Sequence, residues 1–413
     1  MMMRRLIAGL VVVGILLAYF TVGGVSTGAA ATIPQKDNPD LRAQVAGNSE
    51  FALAMVQKLM ATSSAENIFF SPYSISTALS MTYAGARENT ARQMADTLRF
   101  RLPPANQHAA FAALARAMKP DGQNYRLEIS NALWGQQGYA FQSDFLELVK
   151  KHYEGGFNTV DFAGQTEESR AIINHWVEQK TADKIKNLLA RGSLTPLTRL
   201  VLTNAIYFKG DWANQFKTVM TRPMPFHVSE SQTIDVPMMR QNGNFLFAET
   251  EAVKLLELPY IGNELSMVLL LPKGKQEEFA QSLDLARLHE WQTMLTQREV
   301  DIYLPKFKFE TQYELKEMLS GMGMVDAFEL PPADFSGISG YKDLYITKVI
   351  HKAIIEVNEE GSEAAAATGV VVGTKAVMHK PVFKADRPFL FMIRHNETGS
   401  LLFLGWVANP AAK

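Results

Sequence analysis

The amino-acid sequence predicts an α+β fold. Helical signals crowd the first half of the chain, strand signals crowd the second, and the two never alternate regularly. The run Leu344–Val357 is long for a strand and points to a large central sheet. The chain has 413 residues, 47% of them hydrophobic, enough to bury a sizeable core.

The chain opens on a targeting segment. Arg4 and Arg5 precede an almost unbroken apolar run from Leu6 to Val22, and Ala29-Ala30-Ala31 offers a small-x-small cleavage pattern. Residues 1–31 are therefore expected to be an export signal, making the mature chain secreted or periplasmic. Left uncleaved, the run would act as a membrane anchor, since it nears the ~20 residues that span a bilayer. Gly9, Gly14 and the small residues after Thr21 favour cleavage. Removal leaves 39 basic against 42 acidic residues, a mildly acidic protein. Residues 32–47 are polar and carry Pro34 and Pro39; they read as a linker to a single domain over 48–413.

Within that domain, Ser71 can cap the free N–H groups of a helix, and Pro72 suits its first position. Ile75, Leu79, Thr82 and Tyr83 follow at helical spacing, and Gly85 supplies a stop. Thr166-Glu167-Glu168 opens another helix through Val177, its acids placed where the helix dipole favours them. Strands are predicted at Leu200–Phe208, Val253–Leu258, Leu265–Leu271, Val300–Leu304, Leu344–Val357, Phe389–Arg394 and Leu401–Val407.

The composition and motifs exclude much. There is no cysteine, so disulfides, thiolate metal sites and cysteine nucleophiles are ruled out. A formal net charge of −1 with short mixed charge runs lacks the basic stripe of a nucleic-acid binder. Phe335-Ser336-Gly337-Ile338-Ser339-Gly340 fails the spacing of a nucleophile elbow. Gly321-Met322-Gly323 lacks the third glycine of a dinucleotide loop, and His289-Glu290 lacks the second histidine of a zinc-protease helix. No catalytic residue, metal ligand or cofactor is assigned, and the chain is not expected to be an enzyme.

Several segments resemble the serpin family of protease inhibitors. Asn67 to Ile75 is similar to the segment opening the family's helix B. Val201 to Trp212 resembles strand 3 of sheet A and its exit. Ile350-His351-Lys352-Ala353 and Glu356 to Thr368 resemble strand 5 and the hinge of the reactive loop. Arg387 to Phe391 and Gly405 to Pro410 match the C-terminal strands. Each motif alone is weak; together, in order over roughly 48–413, they are strong. The resemblance implies a single domain with a large central sheet, two smaller sheets, surrounding helices and an exposed reactive loop at about 359–380. It also implies a mechanism. A serine protease cleaves the loop, is caught as an acyl-enzyme, and is dragged as the freed arm inserts into the central sheet.

The loop residues suit that role. Side chains alternate faces along a strand. With Glu363 toward solvent, Ser362, Ala364, Ala366, Thr368, Val370 and Val372 all point inward, a set free of charge and proline. Such an arm enters a sheet without burying an unpaired charge. The same stretch, with Ala364, Ala365, Ala366 and Ala367 between Ser362 and Gly369, also reads as a short helix, but ~7 residues are too few for stability in water. Counting Glu359 as the first hinge residue, the resemblance places the reactive bond at the seventeenth, Lys375–Ala376. Lysine there implies a trypsin-like target with a carboxylate in its specificity pocket. Because loop register varies, Val372 or Thr374 stands as an alternative bait that selects an elastase-like enzyme.

By resemblance, Ser71, Ser74, Asn204 and His351 form the polar shutter beneath the sheet. Gly210, Trp212 and Lys306 mark the breach where insertion starts, and Lys306 is expected to pair with Glu359 in a half-exposed contact of little energetic weight. Gly361 and Ser362 continue the hinge. The implied partner is one target protease, acting on a monomer with no small-molecule cofactor. Ala105–Lys119 holds only Arg116, Lys119 and His108 as basic candidates, so no polyanion cofactor is expected. A non-inhibitory carrier, storage or chaperone role is the competing function. Replacing Ser362 with arginine places a charge on the inward face, so Ser362→Arg should be cut at the bait bond yet fail to form a covalent complex on a denaturing gel; persistent inhibition would refute the hinge assignment.

Overall fold

A computed structural model describes residues 38–63, 65–119, 125–153, 156–361 and 380–412. Residues 1–31, expected to be an export signal, and residues 32–37 of the expected linker lie outside the described residues. Helix α1 (Pro39–Thr62) begins inside the expected linker: Asn38 Oδ1 accepts from the N–H groups of Asp40 and Leu41, and Pro39 occupies the first turn. Residues 39–47 are therefore helix. Pro39 was read as a loop residue, whereas proline at the first helical position is a start signal.

Five further helices follow in the first half: α2 (Pro72–Tyr83), α3 (Glu88–Leu98), α4 (Pro104–Ala117), α5 (Ser143–His152) and α6 (Thr166–Lys180). Ser71 caps α2 as expected, its Oγ accepting from Ser74 N–H at 3.1 Å. The strands are β1 (Ile68–Phe70), β2 (Tyr125–Gln136), β3 (Phe157–Val160), β4 (Leu200–Gly210), β5 (Arg222–His227), β6 (Thr233–Glu249) and β7 (Val253–Pro259). After them come β8 (Leu265–Pro272), β9 (Thr296–Pro305), β10 (Phe307–Glu314), β11 (Lys348–Val357), β12 (Val382–Lys384), β13 (Phe389–His395) and β14 (Leu401–Val407). The α+β expectation holds, with β1, β2 and β3 interrupting a first half expected to be mostly helical.

Two sheets result. Five strands run in the order β10-β11-β4-β2-β3, and nine in the order β1-β14-β13-β8-β7-β6-β9-β12, with β5 also on β6. The two smaller sheets expected beside the central one are continuous. Strand β6 is 17 residues long; its first part pairs with β5 and its last with β7, while β9 runs along most of it. The long run Leu344–Val357 is strand only from Lys348. Leu344 and Ile346 are fully buried, but Ile346 N–H bonds to Ala327 O and so cannot join the ladder.

Helix α2 packs between the sheets, against β14 on one side and β2 and β4 on the other. Strand β1 bridges them again: Phe69 stacks on Phe403 at 5.2 Å and meets Phe309 of β10 edge-on at 6.4 Å. This apolar clamp holds the start of α2 beneath the middle of the five-stranded sheet.

Candidate functional site

Strand β11 lies parallel to β4 and pairs with it directly from Lys348↔Val201 to Ile354↔Tyr207. Both strands continue beyond the last pair, β11 to Val357 and β4 to Gly210, without bonding to each other. A seam between parallel neighbours therefore opens at one end, and the hinge sits over that end.

The hinge is a turn from Asn358 to Gly361. Asn358 Oδ1 accepts from the N–H groups of Glu360 and Gly361, and Asn358 N–H donates to Gly361 O at 3.0 Å. The turn is bonded to the exit of β4: Trp212 N–H donates to Glu360 O at 2.9 Å, Trp212 Nε1 to Asn358 O at 3.0 Å, and Phe216 N–H to Glu359 O at 2.8 Å. Gly361 bridges to Asp211 with φ of +136°, in the region that favours glycine. A Cβ there would fall 2.5 Å from Asp211 Cα and 2.7 Å from Trp212 N, and closer still to Gly210 O. Trp212 is held by stacking on Tyr260 at 4.6 Å, and a Cβ at Gly210 would meet Phe208 at 2.8 Å and Tyr260 at 3.0 Å. Gly210, Trp212 and Lys306 thus converge on one turn.

Glu359 is more deeply set than expected. Its side chain is 7% exposed; Lys306 Nζ lies 2.7 Å from one carboxylate oxygen, and Thr221 Oγ1 donates to the other at 2.8 Å. Burial pushes the carboxyl up, but the bonds from Lys306 and Thr221 outweigh it and hold it below the usual carboxylate range. Removing Lys306 would strand a nearly buried charge, so the pair carries more weight than a surface ion pair.

Beneath the middle of the seam lies a polar row that crosses four strands. Asn131 of β2 faces Asn204 of β4, Asn204 faces His351 of β11, and His351 faces Tyr313 of β10. Ser71 N–H donates to His351 Nε2 at 3.1 Å, and a backbone N–H cannot accept, so the ring proton is on Nδ1. Nδ1–H then donates to Asn204 Oδ1. Asn204 Nδ2 donates to Ser74 Oγ at 2.7 Å and Asn131 Oδ1 at 2.6 Å, and Ser74 Oγ donates to Asn131 Oδ1 at 2.9 Å. Ser71, Ser74, Asn204 and His351 are all 0% exposed. Burial lowers the His351 pKa to about 3, so the imidazole is neutral.

The structure thus brings together the four residues read as shutter and the three read as breach. It adds Asn131, Tyr313, Asn358, Asp211, Phe216 and Thr221, which sequence reasoning missed. Asn358, three residues before a glycine, carried a turn signal; the others had none. The remaining hinge residues Ser362, Glu363, Ala364, Ala365, Ala366, Ala367 and Thr368, the baits Val372, Thr374 and Lys375, and Ala376 lie outside the described residues.

Five strands, a buried polar row under a directly paired parallel seam, and a turn at the seam's open end make up the site. The family profile of serpins, described as serine protease inhibitors, matches residues 46–410. A leukocyte elastase inhibitor of Xenopus tropicalis is 42% identical over 371 residues, covering 88% of this chain and 98% of its own. A leukocyte elastase inhibitor of Homo sapiens is 42% identical over 373 residues, with the same coverage of 88% and 98%. Human thyroxine-binding globulin, solved in complex with thyroxine, superposes with a TM-score of 0.82 at 31% identity, covering 90% of this chain and 100% of that one. The chain belongs to the serpin family. The family's inhibitors are not catalysts and act through a reactive loop.

Two predictions follow from this geometry. Gly361→Ala should displace the turn from Asp211 and Trp212 and destabilise the protein by about 1–3 kcal/mol, measured by urea unfolding; unchanged stability would mean the turn is not held as described. The second concerns pH. His351 has a folded pKa near 3, and His108, buried beside His152, one near 4, against an ordinary value of 6.5. Both depress the folded value, so stability is fully present above about pH 6.5 and is lost as the unfolded chain takes up protons below it. From pH 6.5 to 5 each should remove about 2 kcal/mol, and His351→Gln should make the fall in stability over that window shallower by about that amount. Identical slopes in both proteins would contradict the neutral, buried imidazole.

Proposed function

We propose that this serpin traps an elastase-like serine endopeptidase by arm insertion, with Val372 or Thr374 as bait. The carrying observation is the hinge. Gly361 is bonded to the exit of β4 exactly where no β4–β11 pair remains, so the chain leaves β11 at the mouth of the seam. The sequel from Ser362 is small and uncharged on its inward face. The two relatives named above are elastase inhibitors by name, which supports valine or threonine over Lys375 as bait. The expectation of a trypsin-like target, resting on a count to Lys375, lacks that support.

In this reading the protease serine attacks the bait carbonyl, and the amine of the following residue leaves with the proton passed on by the protease histidine. The acyl-linked arm then enters between β4 and β11 as a new strand. Eleven residues from Ser362 to Val372 span roughly 36 Å, which carries the enzyme far from the mouth of the seam. The polar row suits this event, since short polar side chains can exchange partners where interlocked apolar packing would resist separation. The target protease is the single partner, met by a monomer exported through residues 1–31.

Incubation with an elastase and with trypsin, followed by a denaturing gel and mass measurement of the released fragment, tests the reading. An elastase complex of summed mass should appear, with a released peptide beginning at Gly373 or Lys375. A covalent complex with trypsin alone, releasing a peptide that begins at Ala376, would restore the trypsin-like target. Nicking without any complex would favour a non-inhibitory role.

A further inference from the structure

At the edge of the five-stranded sheet, between its outermost strand β3 and the first turns of α6, lies a cavity of about 590 Å³, a volume usual for small-molecule sites. It sits away from the hinge. Trp134 of β2, in its lining, pairs with Val201 at the start of β4, whereas the hinge is bonded beyond the other end, at Asp211. Two aromatic walls meet there: Trp134 and Trp176 stand at 88° with ring centres 5.5 Å apart, and Phe157 adds a third ring. Trp134 is fixed by its Nε1–H, which donates to Thr203 Oγ1 at 2.8 Å. Trp176 is half-buried, and Lys180 Nζ lies 6.0 Å from its ring centre without lining the cavity.

The lining holds two carboxylates, Asp161 and Glu168, and no lysine, arginine or histidine. Gln136 Nε2 and Gly164 N–H both donate to Asp161 Oδ1, at 3.0 and 2.9 Å, and these bonds hold its carboxyl below the usual range. Glu168 has no hydrogen-bond or ionic partner among the described residues. The nearby Arg170 is spent elsewhere, on Glu167 at 2.8 Å and on Leu189 O at 3.0 Å. Ser169 is 1% exposed and lines the cavity, yet its Oγ has no partner among the described residues. A buried hydroxyl left so is unusual and costly, and it marks a place for a bound polar group. An anion does not suit that place, because Glu167 and Glu168 already answer the positive end of α6.

We propose that this cavity binds an alkylguanidinium, the head group of arginine. The flat cation lies on an aromatic face while its N–H edges reach carboxylates, a match that a round ammonium ion does not make. Its donors meet Asp161, Glu168 and Ser169 Oγ, and the amide oxygens of Gln137 and Gln165 stand in the same lining. The alkyl stem covers Ile172, which is otherwise 47% exposed.

Calorimetric titration of the intact protein with butylguanidinium and with butylurea, its uncharged isostere, tests the site. Butylguanidinium should bind with a Kd of about 1 mM and more weakly as salt rises. Butylurea should bind at least about tenfold more weakly. Glu168 is exposed, so Glu168→Gln should leave thermal unfolding unaltered while weakening butylguanidinium about tenfold, the loss of one charge-assisted hydrogen bond. Glu167→Gln, one residue away but outside the lining, should stay within about twofold of wild type. The blocked peptide acetyl-Ala-Arg-Ala-amide separates two sources of the same head group. Tighter binding than butylguanidinium assigns the site to an arginine of a partner chain, weaker binding assigns it to a free guanidino compound, and both support the cavity chemistry. Equal affinity for butylurea, unchanged affinity in Glu168→Gln, or no saturation by about 10 mM butylguanidinium would overturn it. No protease enters these measurements, so either outcome leaves the inhibitory reading where it stands.

Discussion

The direct pairing of two parallel strands, β4 and β11, governs the rest of this molecule. Parallel neighbours must be joined by a long crossover, and here the chain between them builds most of the nine-stranded sheet. Because β11 also ends at the hinge, whatever follows Gly361 starts beside an incomplete ladder. An arm turning back there would run antiparallel to both neighbours, a stronger arrangement than the parallel pair it replaces. The native sheet therefore keeps the weaker of two available pairings.

What prevents early exchange is distributed among small polar contacts. At the mouth, Gly361 is fitted so closely to Asp211 and Trp212 that the turn has one position, and Lys306 with Thr221 fixes Glu359 within it. Below, the row from Asn131 to Tyr313 pins the strands in register against Ser71 and Ser74 at the start of α2. On the far bank, β10 and β11 are cross-linked by Lys308–Glu356, Glu310–Lys352 and Glu314–Lys348. Among the described residues no ion pair joins β11 to β4, so that seam is held by its backbone ladder and the polar row.

Local signals were legible where they act over a few residues. The Ser71–Pro72 cap and seven strands of apolar character could be read directly, whereas the hinge glycine, Gly361, came from family likeness. Strands β2 and β6 could not. In β2, Asn131 breaks the apolar pattern because its face meets the polar row, and Glu128 and Ser130 interrupt the opposite face; in β6, polar and apolar residues mix because its length serves two sets of partners. The linker ran nine residues too far because Asn38 and Pro39 resemble a loop until the cap geometry is seen. Family likeness supplied Ser74, Asn204, His351 and Lys306. Asn131, Tyr313 and Thr221 depend on register between segments far apart in sequence, which no single stretch encodes.

The neutral histidine shows how these constraints meet. A protonated His351 would point a second N–H at the Ser71 N–H and leave both donors without an acceptor in a space closed to water. The fold therefore selects one tautomer, and that tautomer selects the orientation of Asn204, whose amide is left to face Ser74 and Asn131. A strand entering between Asn204 and His351 must break this bond first and offer each a replacement. The backbone of an arm with small inward side chains can do so, since it brings a donor and an acceptor at every residue and nothing bulky to exclude them. An arm with large or charged inward side chains could not approach closely enough. Small residues in the hinge and a neutral imidazole in the sheet are thus two halves of one requirement.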